Sequence, residues 1–186
     1  MAVSGLGELI ALIDAAVEKD SVTDTVETIK AELCRLIRSG QIDLPPELTR
    51  RVEGHYARRL VHRDDARGYS IVAMTWGPGQ RTPIHDHSGM WCVEGVWGGS
   101  IDVQQYELTE SGDRGYRFEP RNSYEAGVGS AGCLIPPYEY HSISNPCDRT
   151  AISLHIYGGE MACCNVFERQ RDGTYLRRER PLGYDN

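Results

Sequence analysis

Gly79-Gln80-Arg81-Thr82-Pro83-Ile84-His85-Asp86-His87 sets two histidines two residues apart in a segment that should be extended. Residues i and i+2 of a strand face the same side, so both imidazoles can reach one ion. A third histidine arrives more than fifty residues later, after Pro136-Pro137, in His141-Ser142-Ile143-Ser144-Asn145. Two ligands from one strand and a third from a distant strand is a way for a barrel to hold a metal in its mouth. His85, His87 and His141 are therefore the candidate metal ligands. Imidazole accepts Fe, Zn, Cu or Ni, so ligand type alone does not choose the ion.

The chain around this segment is consistent with a barrel. From Tyr56 onward, short β-prone runs alternate with Gly, Pro, Asn and Asp: Tyr69 to Trp76, Trp91 to Trp97, Ile101 to Leu108, Ala131 to Ile135, Ala151 to Tyr157 and Cys164 to Phe167. That spacing predicts a mainly β barrel or sandwich, not an alternating α/β fold. Before it, Leu6, Leu9, Ile10, Ile13 and Val17 recur at helical spacing, and Val26, Ile29, Leu33 and Leu36 repeat the pattern. Two amphipathic helices are expected, and Pro45-Pro46-Glu47 can start a short third. Nothing marks a linker, so one domain over residues 1–186 is expected: a helical part, 1–52, packed outside a β-barrel, 53–186.

A length of 186 residues suffices for a core without staples. The formal charge of -7, with no long basic run, does not suggest a nucleic-acid surface. No long apolar span and no leader pattern is seen, so no membrane contact and a cytoplasmic location are expected. Six scattered cysteines are then reduced thiols, not a disulfide framework. A monomer is the expected state.

Gly79, His85, His87 and Gly99 resemble the first motif of the cupins, and Pro136, His141 and Asn145 their second. The usual cupin site adds a carboxylate about five residues after the second histidine. Here that place holds Cys92, and Glu94 stays open as a fourth ligand. Three neutral imidazoles would leave a divalent ion its full charge and open positions, suited to an anionic substrate together with dioxygen. A second constellation is Ser153-Leu154-His155-Ile156-Tyr157, which on a strand sends Ser153, His155 and Tyr157 to one face. An outer-shell relay from Ser153 through His155 to Tyr157 is expected to set the phenol's orientation and proton.

Taken together, Tyr56-x-Arg58-x-Leu60, Trp76-Gly77, His85-Asp86-His87, Cys92, His141, Ser153-x-His155-x-Tyr157 and Cys164 resemble the thiol dioxygenases, and among them the cysteine dioxygenases, from Tyr56 to about Phe167. The resemblance implies Fe(II) as the cofactor and the addition of both atoms of O₂ to a thiol, giving a sulfinic acid. It implies that Arg58 binds the substrate carboxylate, as the planar, bidentate guanidinium suits, with Tyr56 and Trp76 shaping the pocket wall. Relatives acting on 3-mercaptopropionate have Gln at the place of Arg58, so L-cysteine is the expected substrate and 3-mercaptopropionate or another thiol the alternative. A cupin that binds a metal or ligand without catalysis is the reading from a different class. In animal members the residues at Cys92 and Tyr157 are joined by a thioether, so that crosslink is expected to be available here. Gly158-Gly159 departs from the Ser-Pro-Pro run of those enzymes. Arg59 should face away from Arg58, His55 and His62 should face solvent, and the tail from Glu168 to Asn186 should form an exposed hairpin with a loosely held end.

Overall fold

The computed structural model describes residues 3–112 and 115–185. Met1, Ala2, Asp113, Arg114 and Asn186, parts of the expected domain and tail, lie outside the described residues. The chain opens with α1 (Leu6–Val17) and α2 (Val22–Arg38), followed by the short α3 (Pro46–Thr49). Ser21 starts α2, its hydroxyl accepting from the Asp24 N–H at 3.0 Å, which satisfies one of the donors a helix leaves free. The apolar stripe read from sequence becomes the buried face of α2: Val26, Ile29, Leu33 and Leu36 are at most 2% exposed.

Eleven strands follow among the described residues: β1 (Ala57–Asp64), β2 (Tyr69–Trp76), β3 (Ile84–His85), β4 (Cys92–Gly98), β5 (Ser100–Gly112), β6 (Gly115–Gly127), β7 (Ala131–Leu134), β8 (His141–Ser144), β9 (Ala151–Tyr157), β10 (Cys163–Arg169) and β11 (Tyr175–Pro181). They form a five-stranded antiparallel sheet, β1-β2-β9-β4-β7, and a ring, β10-β11-β6-β5-β8-β3. This is a mainly β, two-sheet cupin architecture. No helix among the described residues is long and apolar enough to cross a membrane.

The five-stranded sheet is covered on both faces, and the period of two sorts its side chains. Tyr69, Ile71 and Ala73 of β2 and Leu154 and Ile156 of β9 join α1 and α2 in one apolar core. Val72, Met74 and Trp76 of β2, with Tyr157 of β9, join Ile101, Val103, Ile143 and Val166 in a second core between the sheets. Helices on the outer face free the inner face to carry polar chemistry in a dry interior.

Two expectations need correction. The chain end is not loosely held: Leu182 donates to the Ala162 carbonyl at 2.8 Å, and Asp185 exchanges backbone and side-chain bonds with Arg58. His62 does not simply face solvent. It is half-buried beside the Tyr69 ring, at 5.7 Å between centroids.

Candidate metal centre

His85 and His87 come from β3 and the turn after it, and His141 from β8, where it is the register partner of His85. Their ligand atoms all lie within 4.8 Å of one another, with His87 and His141 buried. Two nitrogens each about 2.1 Å from one ion, at an angle of about 90–110°, stand about 3.0–3.4 Å apart. His85 Nε2 and His141 Nε2 are 3.1 Å apart.

The other nitrogen of each ring explains why these atoms converge. His85 Nδ1 meets the Pro83 carbonyl at 3.1 Å. His87 Nδ1 faces Glu139 Oε2 at 3.5 Å, and His141 Nδ1 faces Glu94 Oε1 at 3.7 Å. An acceptor beside every Nδ1 favours its proton there and turns every Nε2 lone pair inward. Burial lowers the pKa of His85 to about 3, and burial followed by the neighbouring imidazoles holds His141 well below the usual range. Imidazole nitrogens converging on one point, with His85 and His141 held neutral, fit a divalent cation.

Glu139 was not singled out by the sequence reading, although it does two things here. Its Oε2 also accepts the His87 backbone N–H at 2.7 Å, so one carboxylate fixes both the position and the ring of that residue. The local signal was slight: an acid two residues after Pro136-Pro137. Asp86, between the two histidines, pins their turn to β10 by accepting from the Asn165 backbone N–H at 2.8 Å and side-chain amide at 2.7 Å. Glu94 does not join the three nitrogens; it stands behind His141 and reaches His155 Nδ1 at 3.6 Å with its other oxygen. Burial raises its pKa to about 8. Cys92, Glu94 and His155 form a second convergence of ligand-type atoms within 4.8 Å.

The alternation of β9 brings Ser153, His155 and Tyr157 inward, as expected, but only half of the relay is made. Trp76 Nε1–H donates to Ser153 Oγ at 2.9 Å, and Ser153 Oγ lies 2.8 Å from His155 Nε2. Because Ser153 already accepts from Trp76, its own proton is free to go to His155 Nε2, leaving the His155 Nδ1–H towards Glu94. His155 makes no hydrogen bond to Tyr157; the rings stack at 6.0 Å, since i and i+2 on one strand stand side by side. The Tyr157 hydroxyl instead points at Met74 Sδ, 3.9 Å away. Burial raises its pKa well above the phenol range, so it is a proton donor.

Cys92 of β4 and Tyr157 of β9 are register partners on neighbouring strands. Gly158 and Gly159 follow because aromatic and thioether neighbours crowd the turn: a Cβ on Gly158 would stand 2.4 Å from Trp91 Nε1, and one on Gly159 2.8 Å from Met90 Sδ.

Arg58, His85, His155, Tyr157, Cys164 and Trp76 line one cavity of about 430 Å³, counting the space open to solvent. Tyr56 stacks on Trp76 at its wall, 4.7 Å between centroids. Arg58 is buried, donating from Nη1 to the Gly183 carbonyl at 3.0 Å and from Nη2 to the Met161 carbonyl at 3.2 Å, with the Tyr184 ring 5.4 Å from its guanidinium carbon. Arg59 is also buried, at 4% exposure. Burial raises the Cys164 thiol to about 11, so it stays protonated.

Known proteins are similar to this chain in fold. Among solved structures, the Thermus thermophilus protein TT1209 is similar over 62% of this chain and 94% of its own, with 19% identity and a TM-score of 0.47. A conserved protein with a double-stranded β-helix domain from Klebsiella pneumoniae subsp. pneumoniae MGH 78578 is similar over 62% and 87%, with 19% identity and a TM-score of 0.46. An oxalate oxidase in complex with glycolate is similar over 58% and 53%, with 20% identity and a TM-score of 0.44. The family model for cysteine dioxygenase type I matches residues 47–170, a span that contains Arg58, all three converging histidines and the Ser153, His155 and Tyr157 row. By that match, the chain belongs to the cysteine dioxygenase type I family, with His85, His87 and His141 as its candidate metal ligands.

Proposed function

We propose that the protein is an Fe(II)-dependent thiol dioxygenase that oxidises L-cysteine with O₂ to cysteine sulfinic acid. The observation carrying this is the convergence of His85, His87 and His141, whose ligand atoms lie within 4.8 Å of one another, at a cavity that His85 lines together with Arg58 and Tyr157. Fe(II) held by His85, His87 and His141 would supply the redox chemistry that adds both atoms of dioxygen to the substrate sulfur. The residues do the rest. Arg58 keeps donors beyond the two given to backbone carbonyls, enough for a two-point contact with a carboxylate. Tyr157, bonded only weakly to Met74 sulfur, can turn its proton to the substrate without losing a strong partner. Trp76, Ser153 and Glu94 hold His155 as a neutral ring against the Tyr157 face, burial lowering its pKa to about 3.

Cys92 and Tyr157, opposed across β4 and β9, would join in a thioether formed by loss of one hydrogen from each, with O₂ as oxidant. A mass lower by two hydrogens after aerobic turnover, absent in Cys92→Ala, is the expected result; an unmodified mass sinks the crosslink.

The test of function is O₂ uptake by anaerobically Fe(II)-loaded protein with L-cysteine, 3-mercaptopropionate and cysteamine, the product being identified by NMR. Stoichiometric cysteine sulfinate is expected, and no uptake with any thiol would end this reading. The engagement of Arg58 with Gly183 and Met161 favours a second reading in which the carboxylate contact is looser and 3-mercaptopropionate is accepted. Arg58→Gln should then leave the ratio of the two thiols unchanged, whereas in the L-cysteine reading it should shift that ratio strongly against cysteine.

A further inference from the structure

Arg180 belongs to β11 and was given no part by the family motifs. It is the register partner of Cys164, and its side chain lines the metal cavity together with Arg58. It also lines an outer groove of about 900 Å³, counting open solvent, beside Tyr56, His55, Gln80 and Arg81. Tyr56 and Arg180 are thus the shared rim of the two spaces.

Among the described residues, no acidic side chain lines either the groove or the metal cavity. That is unexpected in a chain of net charge -7. Among the same residues, neither Arg180 nor Arg81 forms an ion pair, while Arg35, Arg63, Arg67, Arg117, Arg121 and Arg178 each do. The nearby Asp185 is already engaged by His55 at 2.9 Å and by the Arg58 backbone N–H at 2.8 Å. A carboxylate held by Arg58 leaves Arg180 and Arg81 without a counter-charge, at the place where a longer substrate would emerge.

We propose that Arg180, with Arg81 beside it, forms an anion-binding subsite at the rim of the metal cavity that takes the second acidic group of a dicarboxylic thiol. This deepens the thiol dioxygenase reading and rests on it. Two guanidinium groups lining one groove, with no carboxylate among its lining residues, attract an anion to it. Arg180 holds the distal carboxylate.

The test is calorimetric titration of the Fe(II)-loaded protein under argon with succinate and with propionate, which differ by one carboxylate and carry no thiol. Wild type should bind succinate about tenfold more tightly, and in Arg180→Gln the ratio should collapse towards one. Equal affinity of wild type for the two acids overturns the subsite. So does an Arg180→Gln variant that weakens both equally, which would mean general steering of anions. In parallel, kcat/KM for mercaptosuccinate relative to 3-mercaptopropionate should fall by a similar factor in Arg180→Gln. If wild type consumes no O₂ with any thiol, the dioxygenase reading fails by itself, and the titration still decides whether a dicarboxylate site exists.

Discussion

Each imidazole of the candidate metal centre turns one nitrogen to the convergence point and one to the protein, and the protein's choice of acceptor differs among the three. His85 relies on a backbone carbonyl, whereas His87 faces the buried Glu139 and His141 faces Glu94, whose pKa burial raises. A carboxylate raises ligand basicity more than a carbonyl does, and loss of such a partner typically costs about 10–100-fold in metal affinity. Glu139→Gln should weaken metal binding by about that factor in a chelator competition, while the three ligands themselves remain. Unchanged affinity would mean that Glu139 only supports the backbone of His87. Ser153 is a different case, because it is enclosed between two ring nitrogens. Ser153→Ala would leave the Trp76 donor and His155 Nε2 without their shared partner, at a cost of about 1–3 kcal/mol per unsatisfied group, read as a lower urea midpoint.

Among the elements, the segment after β11 supports the cavity through Arg58. Residues Leu182 to Asp185 cross β1 and give Arg58 a carbonyl, an aromatic face and a backbone bond. A chain ending at Leu182 should still bind iron through its histidines but release the guanidinium, raising KM for L-cysteine several-fold with a smaller change in kcat. Equal loss of iron would show that the strap supports the barrel as a whole. A second link joins β2 to α1: the Tyr69 hydroxyl donates to Asp14 at 2.7 Å, and burial followed by that bond raises the phenol's pKa above its ordinary 10.0. The folded form therefore keeps this proton more tightly than the unfolded form. Tyr69 contributes nothing to pH dependence below about pH 9, and destabilises progressively above its unfolded pKa. Tyr69→Phe should cost about 1 kcal/mol near neutral pH and lose less than wild type between neutral pH and about pH 11, as measured by urea unfolding. These elements differ in how openly they announce themselves. β2 and β9 were legible end to end because both faces are apolar or carry a polar row of period two. β6, rich in Arg, Glu, Asn and Pro, gave no strand signal; its pairing with β5 along most of its length makes it one.

At the scale of the molecule, two cores share one sheet, and their fit is close where α2 crosses β4. A Cβ on Gly95 would stand 2.6 Å from Leu33 Cδ2. Leu33→Ala should cost about 2–5 kcal/mol and Gly95→Ala about 1–3 kcal/mol. The double variant should cost less than the sum, because the added methyl enters the space that Leu33 vacates. Additive losses in chemical denaturation would show that the contact is not shared. The helices and the inward row of β9 follow from the sequence itself, since the periods of 3.6 and 2 are properties of the local backbone and name the face each side chain takes. The expected pairing of His85 and His87 on one strand does not, because β3 ends at His85 and His87 lies in the turn after it. Periodicity carries no information on distance between strands. Register decided that Cys92 opposes Tyr157 and His85 opposes His141. The path of the chain end decided that Arg58 is held by Gly183, and three-dimensional packing alone put Glu139 and Glu94 behind their histidines. The missing bond between His155 and Tyr157 has the same origin: facing the same side is a local property, whereas touching depends on where neighbouring strands leave each ring to turn.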